Sequence, residues 1–298
     1  MTDPPAHRVY GVLIVALFAV SLAAIFVRLA EAPGVVIAAY RMVLASLILL
    51  PASVRSLRHT PLSRKTFLLA VLAGVFLGAH FATWITSLSY TSVTASVTLV
   101  NTHPLWVALF SWFFFGRSPT LAVLFGILLA VAGGSIIGFG DLSEGSDPLL
   151  GDALALCGAL FIAGYFLLGR TVQRLGLHLN AYVGIAYGVA ALFLLPLPAL
   201  FDISYVEYGM STYLWIGMLA LVPQLIGHTG INYTIKYLDP TFVATTTLFE
   251  PIGASILAFA LFRELPLGLT VVGALVLLSG IVLVARSNQV ERDSHEVT

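Results

Sequence analysis

Tyr90–Pro104 reads YTSVTASVTLVNTHP, and Tyr237–Pro251, 147 positions later, reads YLDPTFVATTTLFEP. Laying one on the other pairs Tyr90 with Tyr237, Thr94 with Thr241, Thr98 with Thr245 and Pro104 with Pro251. The same offset runs on without a gap to Pro119 and Pro266, Gly126 and Gly273, and Gly133 and Gly280. Proline and glycine each constrain or free the backbone in a specific way. A shared register of them through long apolar runs therefore marks a duplication, and the chain reads as two related halves.

Those runs exclude a soluble domain. Hydrophobic residues make up 59% of the 298-residue chain, charged residues 9%, and the mean hydropathy is +1.00. Such a balance belongs in lipid. A helix that crosses a bilayer needs roughly 20 apolar residues, so the chain has room for about ten. The expected spans are Tyr10–Ala30, Val35–Val54, Thr66–Leu88, Thr91–Phe115, Leu121–Gly140, Leu149–Gly169, Ala181–Leu200, Thr212–Ile235, Thr241–Phe262 and Leu267–Ala285. Continuous apolar runs, rather than strict alternation, exclude a β-barrel. Ala30-Glu31-Ala32 has the look of a signal-peptide cleavage site, but the apolar run before it is long and Pro33 hinders cleavage, so the first span reads as a retained helix. The fold class is an all-α polytopic membrane protein.

Basic residues orient it. With the N-terminus in the cytoplasm, the inner segments hold Arg8, Arg55, Arg58, Arg64, Lys65, Arg117, Arg170, Arg174, Lys236, Arg286 and Arg292, against Arg28 and Arg263 outside. That asymmetry follows the positive-inside rule and puts both termini in the cytoplasm. Five spans per half, an odd number, turn the second half upside down. The expected organisation is a first repeat over 1–140, an outer loop over 141–151 carrying Asp141, Glu144 and Asp147, a second repeat over 152–287 and a polar cytoplasmic tail over 288–298. Inverted membrane repeats that meet at a central site are an architecture of secondary transporters.

Several chemistries are set aside. Cys157 is the lone cysteine, which removes disulfides and thiolate metal cages. Asn232-Tyr233-Thr234 matches a glycosylation sequon but lies in or at the inner end of a span, and neither Lys65 nor Lys236 follows a glycine-rich phosphate loop. His80, His103, His228 and Glu250 stand on different spans without metalloprotease spacing, so an intramembrane enzyme is not expected. No cofactor, metal or nucleic acid is implied. The expected partners are a small-molecule substrate and the lipid bilayer, with monomer and dimer both open.

Polar residues within the spans carry the information. A charge near the bilayer centre costs about 2.5 to 3.5 kcal/mol on insertion scales, so Arg41 and Glu250 need partners or a wet cavity. For Arg41, near the outer end of its span, snorkelling is the competing reading. Glu250-Pro251 and His103-Pro104 are repeat equivalents, placing two titratable side chains at matched bends. Pro104 and Pro251 are candidate flex points, and Glu250 and His103 candidates for proton coupling. His80 and Trp84 share a face of the third span; Thr94, Thr98 and Asn101 line the fourth; Gln224, His228 and Asn232 follow at four-residue spacing on the eighth. The candidate substrate-binding set is His80, Trp84, Thr98, Asn101, His103, Tyr165, His228, Asn232 and Glu250. Aromatic walls with sparse polar groups suit an amphipathic solute. Small residues at Gly184 and Gly188, and at Ala130, Gly134 and Gly138, are candidate helix-packing ridges, and Gly158 and Gly164 candidate points of flexure.

Val27-Arg28-Leu29-Ala30, Pro33, Ala39-Tyr40-Arg41, the Glu250-Pro251 bend, and Phe262-Arg263-Glu264 followed by Gly273 and Gly280 resemble the drug/metabolite transporter superfamily, in particular its EamA-type exporters. Phe115-Gly116-Arg117 departs from the pattern, since such repeats commonly carry an acidic residue there. The resemblance implies ten helices in two inverted five-helix repeats around a central cavity, lined mainly by helices 1, 3, 4, 6, 8 and 9. It implies export of amino acids, aromatic ones included, or of other metabolites, across a bacterial inner membrane by alternating access. Export of cationic toxins such as paraquat, or passive facilitation by the same fold, is the alternative it leaves open.

Overall fold

A computed structural model describes residues 4–87, 90–91, 96, 99–116, 118–138, 147–250, 253 and 268–296. Thr94, Thr98, Arg117, Asp141, Glu144, Pro251 and Phe262-Arg263-Glu264 lie outside the described residues. Every regular element among those described is helical. The first span is α1 (Ala6–Ser21) and α2 (Ala23–Ala30), the second α3 (Gly34–Arg58) and the third α4 (Arg64–Ser87). α5 (His103–Phe115) and α6 (Leu121–Gly138) fall in the fourth and fifth. α7 (Pro148–Arg174) is the sixth, and α8 (Leu179–Leu194) with the short α9 (Leu197–Leu200) the seventh. The eighth joins α10 (Met210–Leu219), a π-helical stretch over Ala220–His228 and α11 (Thr229–Tyr237); α12 (Pro240–Thr247) opens the ninth, and α13 (Gly268–Glu296) is the tenth. Six of these helical runs are long and apolar enough to cross a membrane. α13 continues through the segment expected to be a polar tail.

The local chemistry explains where helices begin and end. Asp147-Pro148 and Asp239-Pro240 each pair a capping carboxylate with a proline in the first turn, where no N–H is required. The Asp147 carboxylate accepts from the Leu150 N–H, and that of Asp239 accepts from the N–H groups of Thr241 and Phe242. Gly116, with φ of 66°, closes α5 in the left-handed conformation that glycine adopts without strain.

Hydrophobicity is distributed for lipid. Phe113, Leu121, Leu149 and Leu192 are at least 72% exposed, whereas Arg41, His80, His103, Gln173, Gln224 and Asn232 are at most 7% exposed. In water this arrangement would be unfavourable; in hydrocarbon it places each polar group where protein can satisfy it.

Helix packing is paired. α4 packs along α7 much as the eighth span packs along α1, and α4 meets α8 as the π-helical stretch meets α3. Three further contacts join equivalent helices: α6 with α13, α3 with α8 and α5 with α12. Contacts between helix ends follow the alternation expected of a serpentine chain. The Ser53 hydroxyl donates to the Asn180 carbonyl (2.9 Å) and the Thr91 hydroxyl to the Asp152 carboxylate (2.8 Å), while Thr120 and Ser287 hydroxyls meet at 3.1 Å.

The most extensive pair, α6 with α13, is a backbone-to-backbone contact built on repeat-matched glycines. A Cβ at Gly133 would stand 2.6 Å from the Gly273 carbonyl oxygen, one at Gly126 would stand 3.0 Å from that of Gly280, and one at Gly280 would strike Gly126 and Ala130. Gly126, Ala130 and Gly133, at i, i+4 and i+7, line this seam; of the expected ridge, Ala130 is among them, and the surroundings of Gly134 and Gly138 lie outside what is described. Gly184 packs on Ser53 as expected, but its partner Gly188 faces open space. Gly158 and Gly164 serve packing, against Trp84 and Phe76. We predict that Gly280→Ala lowers the apparent melting temperature in detergent, as overpacking by about 1–3 kcal/mol would, whereas Gly188→Ala leaves it unchanged or raises it; equal responses would refute the seam.

Candidate functional site

The fourth and ninth spans are both broken, at equivalent places. Helical Leu99-Val100 gives way to a turn at Asn101-Thr102 before α5 starts at His103; α12 stops at Thr247, and a turn at Leu248-Phe249 precedes Glu250. The two turns are 147 residues apart, the offset of the repeat. Discontinuous helices inside a membrane free backbone groups and are tolerated only where protein or a cavity receives them. Pro104 lies in the first turn of α5, so the discontinuity, at Asn101-Thr102, precedes it.

The breaks face each other. His103 Nε2 is 2.9 Å from the Thr247 hydroxyl and its Nδ1 is 3.1 Å from the Val100 carbonyl, to which it can only donate. The Thr247 hydroxyl is in turn 2.7 Å from the Ala244 carbonyl. A hydroxyl has one proton. If His103 is neutral, that proton turns to Nε2 and leaves the Ala244 carbonyl; if His103 is protonated, both ring nitrogens donate and Thr247 keeps its bond to Ala244. Proton binding at His103 thereby sets the hydrogen bonding of the last turn of α12.

A second cluster surrounds Arg41. Its side chain is walled in rather than snorkelling: Nε donates to Gln224 Oε1 at 2.8 Å, and the guanidinium carbon stands 4.9 Å from the Phe81 ring centroid. Phe81 meets the His228 ring edge-on at 6.0 Å, and His80 stacks on Trp84 at 5.9 Å with planes 11° apart. His80 Nδ1 is held by the Gly158 carbonyl at 2.9 Å. Phe81, under the guanidinium, thus touches both histidine rings, that of His80 at 5.1 Å and that of His228 at 6.0 Å. Gln224 reaches Arg41 from the π-helical stretch, which contains Pro223 and widens the helix locally. That widening breaks the expected four-residue stripe: the Thr229 hydroxyl reaches back five residues to the Gln224 carbonyl (3.3 Å), and regular spacing resumes only between His228 and Asn232.

The third cluster is centred on Asn232. Its side-chain nitrogen donates to the Tyr165 hydroxyl (2.6 Å) and to the His228 carbonyl (2.8 Å), while its backbone carbonyl accepts from Gln173 Nε2 at 2.7 Å. Tyr165 stacks on Tyr182 at 6.2 Å, and Phe166 bridges Tyr165 to His103 at 6.0 Å on each side. The sequon nitrogen of Asn232 is therefore buried, with both of its protons donated.

Of the expected residues, His80, Trp84, His103, Tyr165, His228 and Asn232 belong to these clusters, and Glu250 follows the second break. Asn101 sits in the first break, with no side-chain hydrogen bond to the clusters among the described residues. Sequence reasoning left out Gln224, Gln173, Phe81 and Tyr182. Gln224 was visible as part of a polar stripe and Gln173 as an amide near a span end, whereas nothing distinguishes Phe81 or Tyr182 from core aromatics. Because Asn232 satisfies a buried phenol, Asn232→Leu should destabilise the protein by about 1–3 kcal/mol. Tyr165→Phe should cost less, since the amide keeps its His228 partner; chemical denaturation in micelles ranks the two, and the reverse order would contradict the network.

The model of a family described as the EamA-like transporter family matches residues 8–139 and 149–286. An uncharacterized transporter of Archaeoglobus fulgidus is 26% identical over 224 residues, covering 72% of this chain and 74% of its own. A solved crystal structure of a protein superposes with a TM-score of 0.80 over 96% of this chain and 99% of that one at 17% identity, a likeness of fold. With its apolar exterior, polar interior and broken spans, the chain belongs to the EamA-like transporter family, within the drug/metabolite transporter superfamily.

Proposed function

We propose that this transporter exports amino acids, aromatic ones included, across a bacterial inner membrane, with the solute held at the Arg41, Trp84 and Asn232 clusters. The carrying observation is a set of buried polar atoms without partners among the described residues: Arg41 Nη2, Gln224 Nε2 and Trp84 Nε1, which donate, and Asn232 Oδ1, which accepts. Burying such groups unpaired costs about 1–3 kcal/mol each, so they call for a ligand or water that satisfies both kinds. A carboxylate takes the donors beside the guanidinium, as charge-assisted bonds favour. An ammonium takes Asn232 Oδ1 and the Glu250 carboxyl. Phe81 and Trp84 supply apolar walls for the side chain.

The paired packing and matched breaks support ten helices in two inverted repeats, and the distribution of basic residues supports cytoplasmic termini. Transport then proceeds by alternating access, the halves rocking about the central clusters. His103 with Thr247, and Glu250, are the groups through which proton movement would couple. The aromatic walls together with Glu250 favour a second reading, a flat organic cation, which the guanidinium of Arg41 opposes.

Counterflow in proteoliposomes preloaded with individual unlabelled amino acids decides between them. Accumulation of a labelled amino acid that falls by about tenfold or more in Arg41→Gln, the loss of one charge-assisted bond, is expected. In Glu250→Gln, counterflow persists while the response to an imposed pH gradient is lost. Absence of counterflow with every amino acid in folded protein, or an unaffected Arg41→Gln, would overturn the reading.

A further inference from the structure

Arg55 and Arg58 lie in the last turn of α3, and Arg64 and Lys65 open α4 after the loop 59–63. All four side chains are exposed. The chain around them supplies no counter-charge. Positions 32–140 and 153–201 hold no Asp or Glu, so α3, α4 and α8 are free of acid. α7, which also packs on α4, has Asp152 near its opposite end, where the Thr91 hydroxyl engages it. The loop 175–178, brought alongside α3 by the bond from Ser53 to Asn180, adds none. Among the described residues no carboxylate pairs with any of the four cations. Arg64 and Lys65 moreover start a helix, where the dipole disfavours positive charge. A topology signal explains the sign of these residues, but it does not require every neighbouring acid to be absent.

Each helix continues its charge with an apolar stripe. Leu47, Leu50 and Val54 lead to Arg58 along one exposed face of α3, and Leu68 and Leu72 follow Arg64 along one of α4. At the helical rise the stripes run about 16 Å from Arg58 and about 12 Å from Arg64. A soluble anion would meet the charges and leave the stripes unused. A phospholipid meets both, with its phosphate at the cations and its acyl chains along the aliphatic side chains. We propose that the α3–α4 corner is a binding site for anionic phospholipid of the leaflet it faces. Basic clusters beside membrane helices attract such headgroups. The bound lipid braces the link between the two helices that carry Arg41, and His80 with Trp84, into the central clusters. This inference needs the membrane fold alone and does not depend on which solute is carried.

The test is native mass spectrometry of the full-length protein in detergent with equal amounts of phosphatidylglycerol and phosphatidylcholine. Preferential retention of phosphatidylglycerol is expected, and it should weaken as salt is raised. The preference should fall about tenfold or more when Arg55→Gln, Arg58→Gln, Arg64→Gln and Lys65→Gln are combined. It should survive the charge-matched combination of Arg8→Gln, Lys236→Gln, Arg286→Gln and Arg292→Gln, spread over α1, α11 and α13. It should also survive Arg55→Lys, Arg58→Lys and Arg64→Lys together, which keep the charge. An equal fall in both glutamine combinations would assign the preference to the overall surface potential and overturn the site. So would a preference in unaltered protein that ignores salt, or one that soluble glycerophosphoglycerol competes away as well as the intact lipid, since a free anion would then suffice.

Discussion

Arg41 lies in a span that the bilayer surrounds with hydrocarbon, and a guanidinium there has five N–H donors that no lipid tail can satisfy. It is 5% exposed and bonded to Gln224, with Phe81 beneath it. Much of the interior is arranged around that requirement. α3 must turn its Arg41 face inward, the eighth span must bring an amide to meet it, and the π-helical stretch is where that amide is delivered. His80 and His228 then meet the same Phe81 ring that underlies the guanidinium. A buried charge held this way is poor evidence for stability on its own, and among the described residues Arg41 Nη2 and Gln224 Nε2 have no partner.

The broken fourth and ninth spans supply the other constraint. In water a two-residue turn in the middle of a helix is cheap; inside a membrane each released carbonyl and N–H must find protein. Placing the two breaks at repeat-equivalent positions, with His103 against Thr247, lets one half receive what the other releases. The same economy governs the α6–α13 seam, where glycines allow the backbones to touch and dispersion replaces the hydrophobic drive that lipid does not provide.

How much of this was legible in the sequence depends on the kind of signal. The duplication and the inward polar stripe were readable because proline, glycine and charge each have large, local energetic consequences in an apolar run. His103-Pro104 and Glu250-Pro251 pointed to the breaks, although the discontinuity before α5 falls just ahead of Pro104. The parts of Gly126 and Gly133 in the α6–α13 seam were not legible, since which side of a wholly apolar helix faces its partner depends on rotation that composition does not record. The π-helical stretch was hidden for a similar reason: Pro223 shows that a backbone bond is missing, not which register replaces it. Gln224 as the partner of Arg41, 183 residues apart, is a tertiary fact that no local pattern contains.

The central claim is that the buried guanidinium recognises a carboxylate, and the most direct measurement removes that carboxylate and nothing else. For the amino acid that best supports counterflow, competition is measured with the free acid, its primary amide and its decarboxylated amine. The account predicts that the free acid competes, that the amide and the amine lose at least about tenfold in affinity, and that Arg41→Gln abolishes the difference. Equal competition by the amine, or exchange of organic cations by a protein that exchanges no amino acid, would contradict it.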